Sequence, residues 1–290
     1  MLLNRRISVL YFIKQIKWQI VLICIFTITI GIIDAYHGLE VATLPLSIPT
    51  LIGTAVSLLL GFRTAQSYDR WWEARIVWGA IVNDSRSLMR LALQFLPHEE
   101  ARLFADRQII WVQTLTTSLR RIELTDVAKD YLAAEKLEAA NIPNAILDAH
   151  SAQVMRLAAE GKLTEFQQLQ LNNLIAKLCD SMGKCERIKN TVFPKSYSIL
   201  LHTLIYIFTF TLPFGLDSER IVGEIAITII VPLIFIAIEM TAILMQDPFE
   251  NKPLDTPMTS LSQTIEINIR QMMGDKNVPV KIDNGLYYEM

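Results

Sequence analysis

The chain has 290 residues, of which 52% are hydrophobic and 19% are charged, and its formal net charge is −2. It is too apolar for an ordinary soluble domain and too charged to lie wholly in a bilayer. The composition therefore predicts one membrane unit and one helical unit outside the membrane. The slight excess of acidic residues gives no sign of a nucleic-acid partner.

Two apolar segments begin the chain. The first, about Trp18–Tyr36, carries no charge before Asp34, and the second, Val41–Phe62, carries none. About 20 helical residues cross the hydrocarbon core of a bilayer, so both segments are predicted to be transmembrane helices. No turn residue follows the second segment before Gly79, so its helix is predicted to continue out of the membrane.

One face of the second segment has the pattern of a pore lining. Thr54, Leu58 and Phe62 stand four residues apart, which places them within an arc of about 80° on a helix. Several copies around an axis would present a ring of each residue, and apolar rings can close a channel by excluding water. Apolar residues four apart also occur on any membrane helix, so the spacing alone leaves both interpretations open.

The same face continues beyond the apolar segment to Gln66 and Asp69. Repeated around an axis, Asp69 would form an acidic ring at the mouth of a pore, which favours cations. The alternative is an ion pair between Asp69 and Arg63 or Arg70, which would cancel its field.

The middle of the chain is predicted to be helical, because apolar residues recur at helical spacing and glycine is rare. Breaks are expected at Leu96–His98, at Asn141–Asn144 and at Gly161–Glu165. No strand signals are present.

Two further spans follow, Ser196–Leu216 and about Ile225–Met245. Pro213 and Pro232 interrupt them, which is tolerated in a membrane where neighbouring groups or water satisfy the freed carbonyls. After the fourth span, Asp247 opens a loop, and a last helix is expected at about Thr259–Met273.

Basic residues give the orientation. Basic residues precede the first and third spans and follow the second and fourth, whereas the short hairpins within each pair of spans hold only Arg220. Both termini and the middle segment are therefore predicted to be cytoplasmic. The expected divisions are 1–62 (first two spans), 63–195 (helical cytosolic region), 196–246 (last two spans) and 247–290 (acidic loop, helix and tail). No cleavable signal is expected at the start of the chain.

Enzymatic signatures are absent from the sequence. The four histidines lie far apart and match no metal-binding pattern, and there is no Walker loop or nucleophile elbow. Asp34 and Glu239 are acids within spans and so are candidate functional groups. His202 is either a proton-sensitive group or a hydrogen-bonded packing residue. Cys24, Cys179 and Cys185 lack zinc or redox spacing and are expected to be reduced thiols.

Four motifs resemble the bestrophin family of membrane channels. Gly61-Phe62 followed by Arg70-Trp71-Trp72 resembles the neck helix of the family and its exit. The others are Cys185-Glu186-Arg187-Ile188 with Asn190-Thr191 and Pro194, then Leu212-Pro213-Phe214-Gly215-Leu216, and finally Asp247-Pro248-Phe249 with Pro253, Asp255 and Pro257.

The resemblance implies an all-α membrane protein with four transmembrane helices that continue into a helical cytosolic region, assembled as a symmetric homopentamer around one axial pore. Thr54, Leu58 and Phe62 fall on the three neck positions, where the family usually has larger apolar residues than Thr54. A second, cytosolic constriction is expected on the helix before the turn that carries Cys185, with Leu169 as the best match.

Animal bestrophins hold calcium in a clasp of several acids after the Pro-Phe pair. Here only Asp247 and Asp255 fit that pattern, beside Lys252, which is a poor ligand set for an ion that favours six to eight oxygens. No metal site, calcium gating or cofactor is therefore expected.

The sequence thus predicts a channel of the bacterial inner membrane that passes small monovalent ions passively. The family label is anion channel, whereas Asp69 favours cations. A membrane enzyme would need an acid/base or metal cluster near the membrane face, and a scaffold protein would bury the face of Thr54 in a closed core.

Overall fold

The structure, a computed structural model, describes residues 9–37, 44–191, 193–216 and 221–281, and the side chains of 9, 34–37 and 221 lie outside that description. The described residues form helices and no strand, which confirms the all-α prediction. The helices are α1 Val9–Gln15, α2 Lys17–His37, α3 Ser47–Phe95, α4 His98–Arg120, α5 Asp126–Glu135, α6 Ile142–Ala159, α7 Glu165–Asn190, α8 Lys195–Gly215, α9 Ile221–Gln246 and α10 Met258–Met272.

The chain divides into two compact units. The apolar unit comprises residues 6–70 and 192–246, and the polar unit comprises 1–5, 71–191 and 247–290. The finer division into four segments stays a prediction. The first hairpin, the residues of the second hairpin at 217–220, the side chain of Asp34 and the end of the tail lie outside the described residues.

Helix α3 is the longest element. It begins at Ser47 and runs for 49 residues without a break, which confirms that the second apolar segment continues as helix beyond Phe62. Pro49 lies in its first turn, where a backbone N–H has no partner within the helix and proline is therefore tolerated. The expected start at Val41 lies outside the described residues, and the helix itself begins at Ser47.

The apolar unit has its own hydrophobic core, formed where α3 packs against α2, α8 and α9. Its buried members are Ile16, Ile23, Val56, Leu60, Leu201, Ile205 and Ile236. At Gly53 the ring of Phe208 approaches so closely that an added Cβ would lie 2.8 Å from its Cε2 atom. The absence of a side chain at Gly53 therefore allows α3 and α8 to pack together.

Within the part of the chain that the structure describes, three helices are long and apolar enough to cross a membrane, namely α3, α8 and α9, and α2 has a shorter apolar stretch, Lys17–Ile33. Both α8 and α9 contain the expected interior prolines, Pro213 and Pro232. The chain is thus a membrane protein on the criteria of helix length and composition, while a count of four spans stays a prediction.

Helix ends in the polar unit follow local signals in some places and not in others. The chain breaks as predicted between Phe95 and His98, and α7 begins with a capping box in which Thr164 and Gln167 bond each other's backbone N–H. The break expected at Asn141–Asn144 is wrong in position: Asn141 caps α6, and the turn precedes it.

A further break, after α4, has no sequence signal. Arg121 adopts φ 55° and ψ 43°. Its N–H donates to the carbonyl of Ser118, and the N–H of Ile122 donates to the carbonyl of Thr117. A left-handed cap of this kind usually carries glycine or asparagine, which explains why the sequence did not reveal it.

Helix α4 lies in the core of the polar unit, packed against α5, α6, α7 and α10. The buried side chains of this core include Trp78 of α3 and Phe104, Trp111 and Leu115 of α4.

His150 is fully buried with its ring 4.4 Å from that of Phe104, and neither of its ring nitrogens has a hydrogen-bond partner among the described residues. Burial lowers the pKa of His150 well below the usual value, and the nearby charge of Arg107 adds to the effect.

Candidate functional site

The five candidate residues of α3 form one exposed stripe, which we call the α3 stripe: Thr54, Leu58, Phe62, Gln66 and Asp69. All five are exposed, and the large side chains of Leu58 and Phe62 are 61% and 57% exposed. At about 100° per residue they share roughly one third of the helix circumference. The sequence spacing therefore identified a real surface of the helix.

The opposite face of α3 is buried. Val56, Leu60, Arg63 and Ser67 lie at helical spacing and are each less than 3% exposed. Since these residues face the core of the apolar unit, the α3 stripe faces away from it. Thr54 is the polar member within the membrane segment, and its hydroxyl donates to the carbonyl of Thr50 at 2.8 Å.

Arg63 is buried and pairs with a carboxylate from another helix. Its Nη1 lies 3.0 Å from Oε1 of Glu239 on α9, and its guanidinium lies over the ring of Phe193 at 5.0 Å. His202 on α8 contacts the same Glu239 oxygen, with its Nε2 at 3.2 Å. Glu239 is one of the two acids within spans that the sequence marks as candidate functional groups, and the sequence indicates no partner for it.

Asp69 has neither of the two arginines as an ion-pair partner. Arg63 bonds Glu239, and the Nε of Arg70 donates to the carbonyl of Gln246 at 3.0 Å. Within the described residues Asp69 makes no ion pair and is exposed. The two interpretations, an acidic ring of Asp69 or an ion pair between Asp69 and an arginine of the same or a neighbouring helix, both stay predictions.

The candidate for a cytosolic constriction lies on α7. Leu169 is 57% exposed, and its neighbour Phe166 is 78% exposed. The description of this helix as preceding a turn with Cys185 is wrong, because α7 continues through Cys185 to Asn190. Cys185 is buried within it, and burial raises the pKa of its thiol to about 12. The constriction itself stays a prediction.

The loop after α9 is closed by its own contacts. Asp247 Oδ2 lies 2.6 Å from Nζ of Lys189, and its other oxygen accepts from the N–H of Phe249. Lys252 also pairs with Glu250. A lysine ammonium thus already neutralises one of the two candidate calcium ligands.

The second candidate ligand, Asp255, is fully buried. Its Oδ2 accepts from the N–H of Lys252 at 2.8 Å, and its Oδ1 has no partner among the described residues. Burial raises the pKa of this carboxyl to about 6, although the bond from Lys252 acts in the opposite direction. No group of three or more potential metal ligands occurs in the described residues.

The chain resembles known proteins over nearly its whole length. A family model for bacterial and fungal bestrophin proteins matches residues 4–271. The voltage-dependent anion channel-forming protein YneE of Salmonella typhi is 32% identical over 249 residues, which cover 84% of this chain and 81% of that protein. YneE of Escherichia coli K12 is 31% identical over 258 residues, covering 87% and 84%.

The fold is similar to that of solved structures as well. A bacterial bestrophin homolog from Klebsiella pneumoniae matches with a TM-score of 0.84 at 26% identity, covering 90% of this chain and 100% of that one. The match to the family model extends from residue 4 through the α3 stripe to residue 271 in α10. The chain therefore belongs to the bestrophin family.

Proposed function

We propose that this protein is a bestrophin-type channel that conducts small monovalent ions passively, and that the α3 stripe lines its pore. The exposed stripe carries the proposal. Leu58 and Phe62 lie in the apolar segment of α3, and Gln66 and Asp69 continue the same exposed face where the helix leaves that segment. A pore that opens from an apolar neck into water accommodates both parts.

A pore requires several copies of α3, since one helix cannot enclose it. A homopentamer, as the family resemblance implies, would place rings of Thr54, Leu58 and Phe62 in the neck and a ring of Asp69 at its cytosolic end. The excess of basic residues at the span ends next to the termini and the middle segment supports cytoplasmic termini and insertion in the bacterial inner membrane.

Two arguments about the charge of the transported ion oppose each other. The curated relatives are named as anion channel-forming proteins. A ring of Asp69 side chains, however, would concentrate cations. Chloride and monovalent cations are therefore both candidate permeant ions.

Ion flux through the purified protein in liposomes tests the proposal. We expect a current above that of empty liposomes, with a reversal potential across a salt gradient that reports the selectivity. Folded, reconstituted protein without flux would instead favour a membrane enzyme or a scaffold.

Thiol modification tests the pore lining directly. In a chain without its three native cysteines, a charged, water-soluble thiol reagent should block Phe62→Cys. The matched control is Ile234→Cys, which places the thiol on an exposed position of α9. Block of both variants, or of neither, would contradict the assignment of the neck.

A further inference from the structure

Glu239 is the one ionisable side chain within the second half of α9. Side chains from two other helices contact the same oxygen of its carboxylate. Arg63 of α3 and His202 of α8 lie 3.0 Å and 3.2 Å from its Oε1. Glu239 and Arg63 are 2% exposed, whereas the side chain of His202 is 46% exposed. A buried carboxylate is thus shared between a permanent cation and a group that can gain or lose its charge.

The shared carboxylate fixes the rotation of α3 at the neck. Arg63 directly follows Phe62, so the two side chains leave the helix about 100° apart. While Arg63 is held on Glu239, Phe62 must remain on the exposed face. A second attachment one turn earlier comes from α8, where the hydroxyl of Tyr197 donates to the carbonyl of Leu59 at 2.7 Å.

Few other charges face this cluster. From α8 come Tyr197 and Tyr206, from α9 Glu239 itself, and from α3 Arg63. Helix α2 presents the uncharged Gln19, and its Lys17 lies over the ring of Trp18 at 5.5 Å. Histidine is the residue type that ordinarily changes charge between pH 5 and 8. His202 is the one histidine in this set.

A cavity of about 20 Å³ adjoins His202 and Glu239 and is also lined by Gln19 and Tyr206. That volume is enough for one water molecule, and the polar groups around it supply hydrogen-bond partners.

We propose that Glu239 and His202 are positioning residues for the neck, and that protonation of His202 weakens the hold of Arg63 on Glu239 and so loosens Phe62. The inference rests on the proposed function, since it takes Phe62 as part of the neck. An imidazolium repels the neighbouring guanidinium and competes with it for the Glu239 oxygen. Acid should therefore increase the freedom of Phe62 and ease wetting of the neck.

The first test is the pH profile of conductance. We expect conductance of the parent to rise roughly twofold or more as pH falls through the range in which histidines titrate. His202→Gln keeps a donor for Glu239 but cannot gain a charge, so its profile should be flat while the channel still conducts. His98→Gln, at the exposed start of α4, is the matched control and should keep the profile of the parent.

The double variant Arg63→Gln/Glu239→Gln separates positioning from folding. It replaces the ion pair by a neutral hydrogen-bonding pair, so we expect a conducting channel with a flat profile. A parent profile without pH dependence, or one that His202→Gln leaves unchanged, would overturn the inference.

The second test does not depend on conduction. The rate of thiol modification at Phe62→Cys is measured in a chain with His202 and in a chain with His202→Gln, both without native cysteines. The rate with His202 is divided by the rate with His202→Gln, so that the intrinsic pH dependence of the thiol cancels. This ratio should rise as pH falls. A protein without flux would refute the proposed channel, yet a rising ratio would still support the cluster, and a constant ratio would refute it.

Discussion

Arg63 and Asp69 lie six residues apart on α3 and have opposite surroundings. Arg63 is directed into the apolar unit and neutralised by Glu239, whereas Asp69 is exposed. A charge that is paired and buried contributes little field outside, so we expect the Asp69 carboxylate to outweigh Arg63 at this end of the α3 stripe.

Replacing Asp69 by asparagine should shift selectivity towards anions. A unit charge at about 4 Å contributes about 1 kcal/mol in a water-like medium, or a factor of about five, with opposite sign for a cation and an anion. We therefore expect the cation-to-anion permeability ratio to fall by up to roughly 25-fold. Reversal potentials across a salt gradient measure it. Glu73→Gln is the control, because the Glu73 carboxylate of the same helix is paired with Arg187. Equal shifts in both variants would point to a general effect of surface charge.

Shortening the apolar neck should raise conductance. Leu58→Ala/Phe62→Ala would widen the two apolar rings and lower the cost of wetting, so we expect single-channel conductance to increase by about threefold or more. Ile199→Ala, at an exposed position of α8, controls for loss of apolar surface elsewhere. If the folded double variant conducts no better than the parent, these residues do not limit the current.

Acid should destabilise the polar unit through His150. In the unfolded chain this imidazole binds a proton as pH falls through the usual histidine range, but burial keeps the folded one neutral because its pKa is lowered. Stability is therefore fully present above that range and is lost as pH falls below it, by up to about 1.4 kcal/mol per pH unit.

Thermal unfolding of the detergent-solubilised protein between neutral and mildly acidic pH measures this loss. His150→Leu should flatten the decline, while His98→Gln should leave it intact. Asp255 acts in the opposite sense, because its pKa is raised to about 6 and the folded chain therefore binds this proton at a higher pH than the unfolded chain does. Both variants retain Asp255, so its contribution is the same in each. An unaltered decline in His150→Leu would assign the acid sensitivity to other groups.

At the scale of elements, the contact between α3 and α8 depends on Gly53. A methyl group there would meet the Phe208 ring at 2.8 Å, so Gly53→Ala should destabilise the apolar unit by about 1–3 kcal/mol through overpacking. Adding Phe208→Leu should restore part of the loss. Gly79→Ala on the same helix meets nothing within 4 Å and should be neutral or stabilising by up to about 1 kcal/mol. Melting temperatures that rank the two alanine variants the other way would contradict this packing.

Sequence reasoning located elements that have local signals. The break after Phe95 is marked by Pro97, and the start of α7 is marked by Thr164 and Gln167, which form a capping box. The end of α4 at Arg121 was missed because a left-handed arginine is held by its surroundings and has no signature of its own.

The α3 stripe could be predicted because helical periodicity alone places its residues on one face. The partner of Arg63 could not, because Glu239 is 176 residues away and only the packing of α9 against α3 brings them together. Long-range pairs of this kind leave no trace in local spacing, whereas the face of a helix does.

At the scale of the whole molecule, the proposed pore depends on assembly. We expect native mass measurements in mild detergent to give five copies of the 33.0 kDa chain, and chemical cross-linking to yield species up to the pentamer. Dilution in the same detergent controls for accidental association, which it should disperse. A stable monomer that retains its fold would contradict the proposed assembly.

The unbroken course of α3 also restricts how its gene can change. Deleting or inserting one codon between positions 54 and 63 would turn everything downstream by about 100° relative to everything upstream. Arg63 could then no longer face Glu239 while Thr54 kept its exposed position, and the same defect would be repeated in every copy of an assembly. Substitutions alter one ring at a time, so descendants of this chain are free to vary the chemistry of the stripe but not the number of residues along it.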